Sequence, residues 1–395
     1  MRFTQLNSLS ELRENSQRWD DLWWRSNVTT PTVRAELLAQ WVEHFTASRQ
    51  FIVLAVEDQG DFVAALPLAS GARVLGSLPC GQVPRNCWAD CGEFLLDPGA
   101  EVKAVFDRLV DGLKKLPWGV ICADGIDVQS SQWKPLLDRL QSEGLPTYTR
   151  PWWHVGLIDI GSDWEQYERS LSGNHRRSIH KALRRLGAEK RVELKRCNHL
   201  SRQDVDKLLR RFCEIENESW KGEAGSSIQK SPGMFEFYRR QAEQLADWGQ
   251  VEFQFLEHDD RLLAAEYGFA AKGVYFSNKI AYAPRYANVG PGKLLRYHQL
   301  KQYFEQDDYH VLDTLGILSD SNAKWATRSY TSSGLLMSTG SVLGNTVVCS
   351  YKRVLPIVKK LVGRSTGALP SPNLGAARYM TTNPVHEKAV EPHPA

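Results

Sequence analysis

Three apolar runs with almost nothing between them constrain this chain more than any other feature. VEFQFLE (251–257), RLLAAEYGFA (261–270) and GVYFSNKIAYA (273–283) are joined by HDD and AKG. Connections this short cannot hold a crossover, so the runs form an antiparallel meander. The meander leads into Asn288-Val289-Gly290-Pro291-Gly292-Lys293, which opens a helical pattern running to about 305. Glycines let backbone approach a ligand closely. The first N–H groups of a helix have no internal partners and lie at its positive end. Together these features suit a phosphate or pyrophosphate, with Lys293 adding a charge-assisted contact. The competing reading of the same motif is a plain helix entrance. The spacing is not that of a Walker A loop, and a meander strand does not supply the βαβ unit of a dinucleotide fingerprint.

The flanking segments read as mixed α/β. Leu37, Leu38, Trp41, Val42 and Phe45 predict a helix over 35–46. FIVLAVE (51–57) and FVAALPLA (62–69) predict a hairpin turning at Gly60. A helix over 100–116, a strand over 118–124, a helix near 131–143 and a strand over 154–160 follow. Ile179, Ala182, Leu183 and Leu186 give 174–186 an apolar face. Ser201 and Asp204 predict a capped start to a long helix, and Ser231-Pro232 the start of the next. Beyond the meander, YHVLDTL (309–315) is a predicted strand and 321–330 a predicted helix. GLLMST and NTVVCSY are read as a strand pair, and 363–395 as a flexible tail.

Length and composition narrow the class. A chain of 395 residues exceeds one ordinary core and predicts two or three domains. Hydrophobic residues at 42% and charged residues at 24% exclude a wholly disordered chain. A net charge of +3 gives no global argument for nucleic acid. No run reaches the ~18 apolar residues of a membrane span, and the first residues lack a secretory h-region, so a cytoplasmic protein is expected. The seven cysteines are odd in number and scattered, which fits a reducing compartment. Cys80, Cys87 and Cys91 make no CxxC pair and have no nearby histidine, so no metal site is expected.

The order of elements and three stretches carry a family resemblance. SLSGNHRRSIHKALRRL (170–186), LAAEYGFAAKGVYFSNKIAYAPRYANVGPGKLL (263–295) and VLDTLGILSDSNAKWAT (311–327) resemble the GNAT-like acetyltransferases associated with bacterial cellulose and exopolysaccharide biosynthesis, relatives of the Fem-type transferases. The resemblance implies an α/β (α+β) fold of tandem GNAT-like halves, each a mixed, mostly antiparallel sheet flanked by helices. It implies a first half over 1–150 without a competent donor site and a second over 151–362 that carries one. The implied co-substrate is acetyl-CoA or another acyl-CoA, held by an R/Q-x-x-G-x-G/A loop. Gly290 and Gly292 fall on the glycine positions, with Val289, Lys293 and Leu294 beside them. Ala287 stands where the family has Arg or Gln, and Arg285 or Lys293 is the expected substitute. The implied acceptor is an amine or hydroxyl on a small-molecule, saccharide or lipid-linked envelope precursor. Two other readings stay open: a Fem-type enzyme using aminoacyl-tRNA, and an inactive binding module.

Acyl transfer needs a group that takes a proton from the nucleophile, and donors for the oxyanion. Glu266, alone in an apolar strand, is the first candidate base, against a solvent-facing position allowed by strand alternation. Asp313 is the second, against a buried acid satisfied by backbone N–H groups. Tyr282 and Tyr330 are candidate donors to a leaving thiolate, or packing residues. Arg176 and Arg177, with His180, Lys181, Arg184 and Arg185, make a basic helix face. It is either solvated or a wall for an anionic acceptor, tRNA or an anionic membrane surface. Lys324 and Trp325 match the family's lysine–tryptophan pair and are assigned to the substrate, Lys324 to an acceptor or donor anion and Trp325 to a sugar or the groove wall, against core packing for Trp325.

Overall fold

The computed structural model describes residues 1–46, 50–74, 78–186 and 192–361, with the side chains of the last helix described to Lys352. The tail expected over 363–395 lies outside the described residues. The chain begins with β1 (Arg2–Leu6), α1 (Leu9–Glu14), α2 (Ser16–Arg25) and α3 (Ala35–Phe45). The hairpin follows as β2 (Phe51–Asp58) and β3 (Asp61–Val74), turning through Gln59 and Gly60 at positive φ. Next come β4 (Leu78–Gln82), β5 (Leu95–Leu96), α4 (Val102–Leu113), β6 (Val120–Ile126), α5 (Trp133–Ser142) and β7 (Thr147–Asp159).

The second part opens with α6 (Trp164–Ser170), α7 (Gly173–Arg185) and β8 (Val192–Cys197). Then come α8 (Arg202–Glu218), α9 (Trp220–Glu223) and α10 (Met234–Asp247). In α8 the Ser201–Asp204 capping box is formed in both directions. The meander is β9 (Val251–His258), β10 (Arg261–Ala271) and β11 (Val274–Tyr282), antiparallel throughout. The chain closes with α11 (Pro291–Gln306), β12 (Val311–Ile317), α12 (Asp320–Ala323), β13 (Arg328–Ser338) and α13 (Val342–Leu361).

Three local expectations are corrected. Only Asp320–Ala323 is helical within the helix expected over 321–330, and from Arg328 the chain is strand. β13 ladders with β6 on one side and β7 on the other, and two sets of inter-strand bonds outweigh the local pattern. NTVVCSY lies in α13 and is not a strand: Val347 and Val348, with Tyr351 one turn on, pack a small apolar cluster beneath that helix. Pro232 precedes α10, whose cap is Gly233 in the left-handed region.

The described strands make one sheet with the path β1-β2-β3-β4-β6-β13-β7-β12-β11-β10-β9-β8. The path reads as two similar series meeting at β13 and β7. Each series is antiparallel except at one step, β4 beside β6 and β11 beside β12, where the strands are parallel. Each parallel step is crossed by a helix, α4 in the first series and α11 in the second. The last strands are exchanged: β7, early in the chain, pairs with β12, and β13, late in the chain, pairs with β6.

The largest apolar core joins the two series. It gathers Trp19, Trp23 and Trp41 of the first helices with Phe212, Phe237 and Tyr238 of α8 and α10. The opposite faces carry separate cores, one under α4 and α5 and one under α7 and α11. Trp19, Trp23, Trp41 and Trp133 are fully buried, the packing role that large aromatics usually have.

Candidate active site

The site begins with a β-bulge. Tyr267 pairs with Lys279 and Phe269 with Phe276, so β11 holds one more residue than β10 over this span. Gly268 lies opposite; a Cβ there would sit 2.1 Å from the Tyr275 hydroxyl. A bulge re-aims the side chains beyond it. Before it, Tyr275 and Ser277 face α11; after it, Ala281 faces the central core while Ile280 lies across from Gly292.

The second element is a fork between parallel strands. β11 and β12 pair only at Val274–Val311, Tyr275–Leu312 and Phe276–Asp313. Beyond that, β12 bends through Leu315, a non-glycine residue at φ 51°. Such a conformation must be held by its surroundings. Here the Leu315 N–H donates to Asp313 Oδ1 at 2.7 Å, and Thr314 Oγ1 donates to the Gly156 carbonyl at 3.0 Å. The fork opens into a cavity of about 1130 Å³, and β11 from Ser277 to Tyr282 forms one wall.

One end of the cavity gathers a helix entrance, glycines and cationic side chains, groups that could hold an anion. Gly290 adopts φ 64°, a left-handed turn that glycine takes without strain, and caps α11. Lys293 and Leu294 donate their N–H groups to the Gly290 carbonyl, and Pro291 has none, which leaves Gly292 as the residue of this turn whose N–H can meet a ligand. Gly290, Gly292 and Lys293 line the cavity with Lys324 and Trp325. His175 joins them from the first turn of α7, only 7% exposed, edge-on to the Trp325 ring at 4.4 Å. Its buried Nε2 has no partner. Burial, then Lys324 and Lys293, push its pKa down to about 4, so the imidazole is neutral at pH 7. Burial, then Lys324 and Arg185, lower the Lys293 pKa.

The opposite wall comes from the first series of strands. The segment after β4 folds on itself through an Arg85–Asp90 ion pair at 2.7 Å and presents Arg85, Cys87, Trp88 and Asp90 to the cavity. Trp152 and Trp153 of β7 complete this side. Lys279 of β11 points towards it, 5.1 Å from the Trp88 ring and 4.9 Å from that of Tyr238. Burial, then Lys221, lower its pKa to about 8.

The other expected site residues are distributed as follows. Glu266 is fully buried behind the cavity wall. Its carboxylate accepts from Tyr275 at 2.9 Å and Gln299 at 3.0 Å, and pairs with Arg296 at 3.3 Å. Every oxygen is engaged, and the group does not line the cavity. Asp313 lies behind the fork, its pKa raised to about 6 by burial against the opposing Leu315 N–H and Tyr330 hydroxyl. Tyr330 bonds Asp313 at 3.3 Å, and burial beside that carboxylate raises its own pKa. Tyr282 lines the cavity and is exposed. Val289 and Leu294 are buried and outside the lining, Leu294 in the core under α11. Arg285 is tied to Glu218 at 2.8 Å, and the cations at the loop are Lys293, whose Nζ donates to Ser178 Oγ at 2.7 Å, and Arg185, which donates to the Asn288 carbonyl at 2.8 Å. Arg176 and Arg177 border a small cleft beside α7 instead of the main cavity. Among the described residues, no three His, Cys, Asp or Glu are grouped to hold a metal ion, and no helix is long and apolar enough to cross a membrane.

The chain is similar to known proteins over part of its sequence and in its fold. Residues 173–325 match the family described as an acetyltransferase (GNAT) domain. The matched segment runs from α7 through the glycine loop to Trp325 and includes His175, Gly290, Gly292, Lys293 and Lys324 of the cavity lining. A crystal structure of FemX superposes with a TM-score of 0.57 at 12% identity, covering 85% of this chain and 97% of that one. A conserved protein of unknown function from Bacteroides thetaiotaomicron VPI-5482 does so with 0.51 at 11%, covering 86% and 99%. At such identities the likeness is one of fold. No curated protein matches the sequence.

His175, Lys279 and the Arg85–Asp90 segment were not among the expected site residues. Lys279 had a visible signal, a lone cation in VYFSNKIAY, but the bulge that aims it leaves no local mark in sequence. The Arg85 segment is distant in the chain, and only the exchanged strands bring it near.

Proposed function

We propose that this protein is an acyltransferase that takes an acyl group, acetyl in the first instance, from acyl-CoA. The group passes to an amine or hydroxyl of an acceptor lying against the Trp88, Trp152 and Trp153 wall. One observation carries the reading: the open edge of β11 leads, through a 3-10 turn at Pro284–Val289, into a left-handed glycine turn, a helix N-terminus and two lysines in one cavity. An extended thioester arm fits the strand edge, and its phosphates fit the turn. The tryptophan wall suits a saccharide, in keeping with an exopolysaccharide or envelope precursor, and a cytoplasmic site of action fits a CoA donor. The GNAT match over 173–325 supports the donor class.

A second reading has its own observation. Arg177, Lys181, Arg184 and Arg185 are exposed on α7, which also supplies His175 to the donor end. A basic face beside a donor site suits a larger anionic donor such as aminoacyl-tRNA, and FemX shares the fold.

Thiol release from acetyl-CoA, measured beside tRNA binding at graded salt, separates the two. The acyl-CoA reading expects thiol release and no RNA binding that survives physiological salt. Salt-dependent tRNA binding without thiol release would replace it with the second reading.

A further inference from the structure

Among the described residues, Lys279 has no hydrogen bond and no ion pair, although it is a half-buried cation. Its contacts are two aromatic faces, Trp88 from the first series and Tyr238 from α10. The nearby carboxylate, Glu216, is already committed: it pairs with Lys221 at 3.0 Å and accepts the Ile228 N–H at 2.9 Å. The groups around Lys279 are Lys221 on α9, Glu216 and Cys213 on α8, Cys87 on the segment after β4, Tyr238 on α10 and Tyr267 across β10. A cation left without a counter-charge in such a place costs stability. A fold does not need it there for packing, since a methionine would fill the same slot.

The bulge gives Lys279 its position. On one face of β11, Ile280 lies over Gly292 at the donor end. On the other, Lys279 faces the tryptophan-lined wall. A donor laid along the strand edge would therefore have its phosphates on one side and Lys279 on the other, where a nucleophile approaches.

We propose that the free amine of Lys279 is the group that takes the proton from the acceptor nucleophile. This rests on the acyl-transfer reading above. The nucleophile's proton passes to Lys279 Nζ as its lone pair bonds to the acyl carbon. The carbon–sulfur bond then breaks, and the sulfur departs with the proton that the Lys279 ammonium gives up. The depressed pKa is consistent with this role: the amine form is the minor one at pH 7 and the major one above about pH 8.

Two measurements test the assignment. First, the intact protein is treated with limiting N-hydroxysuccinimidyl acetate across pH 6–10, and acetylation is mapped by peptide mass spectrometry. Lys279 should be labelled ahead of the surface lysines, its rate levelling above about pH 8. Labelling no faster than theirs would overturn the proposal.

Second, thiol release from acetyl-CoA, with water as acceptor, is followed over the same pH range in wild type, Lys279→Met and Lys279→Arg. Both variants should lose the limb that rises through about pH 8, with a fall of about 100-fold or more. Wild-type rates in Lys279→Met, or full rescue by arginine, would overturn it, because arginine restores charge and not a base. Lys279→Met breaks no hydrogen bond and should melt no lower than wild type. If calorimetry shows that acetyl-CoA does not bind at all, the donor reading fails and the role proposed for Lys279 fails with it; binding with unchanged rates in Lys279→Met would overturn the Lys279 proposal alone.

Discussion

The two series of strands cross their parallel step in the same way and arrive at opposite surfaces. In the first, α4 is entered through Asp97-Pro98-Gly99-Ala100-Glu101. Asp97 accepts the Gly99 N–H at 2.8 Å and is itself paired with Arg25 at 2.7 Å, so this turn satisfies itself with its own anion. Past β4 the Val83 N–H still bonds the Cys122 carbonyl at 2.9 Å, and the fork beyond is occupied by the folded Arg85–Asp90 segment, whose Arg85 guanidinium donates to the Gly125 carbonyl. In the second, α11 is entered through two glycines with no acidic residue, ringed by Lys293, Lys324 and His175, and the fork stands open. The same architecture thus gives a closed turn in one place and an open, cation-lined turn in the other. The difference lies in whether the helix entrance brings its own negative charge. The closed half still contributes to the cavity, because the Arg85–Asp90 segment forms part of its lining.

The crossover helices are also seated differently, and this gives the largest expected effect. α4 packs through an apolar seam that includes Val105, Phe106 and Leu109. α11 packs over the Glu266–Arg296–Gln299 network. Glu266→Ala leaves the Arg296 charge buried and should cost about 3–5 kcal/mol in chemical denaturation. Leu109→Met in the apolar seam should cost less than about 1.5 kcal/mol. Equal costs would mean the two seams are not distinct.

Asp313 holds the open fork, and its raised pKa fixes a sign. An acid whose folded pKa, about 6, lies above its unfolded value of 3.8 penalises the fold most above pH 6. The penalty fades as pH falls and is gone below about 4. Asp313→Asn keeps an acceptor for Leu315 and removes the charge. It should gain about 2–3 kcal/mol over wild type at pH 8 relative to pH 4, read from denaturation at both. A pH-independent difference would place Asp313 in a solvated setting.

Smaller effects separate the helix entrances. Gly290→Ala places a side chain at φ 64° and should cost about 1–2 kcal/mol of stability, with weaker donor binding. Arg177→Glu with Arg184→Glu, outside the cavity but on the helix that flanks the donor end, should weaken donor binding by about threefold and leave the acceptor KM alone; unchanged donor affinity would make that face of α7 a solvated surface. Smallest of all, Glu101→Lys at the mouth of α4 should leave donor affinity within about twofold, since Asp97 still fills that turn.

What the sequence made legible was local. The meander, the Ser201 cap and the Gly290 turn each depend on a few neighbouring residues, and short-range sterics and hydrogen bonding decide them. What it hid was long-range. The exchange of β7 and β13 is a choice of partner, not of conformation. NTVVCSY has strand-forming residues but turns helical where Val347 and Val348 find the cluster beneath α13. Glu266 was read as a free acid because nothing near it in sequence announces Arg296 or Tyr275. Lys279 was passed over because the bulge that aims it is set by Gly268 on the neighbouring strand.

The central claim is that only the second crossover holds a donor. Calorimetric titration with acetyl-CoA of wild type, Glu101→Lys and Gly292→Glu tests it directly. The Gly292 site has room for a side chain, its added Cβ coming no closer than 3.9 Å to Ile280, so the glutamate brings negative charge to the turn without unfolding it. One equivalent bound by wild type and by Glu101→Lys, with binding lost in Gly292→Glu, is the predicted result. Binding that survives Gly292→Glu, or that is lost in Glu101→Lys, would contradict it.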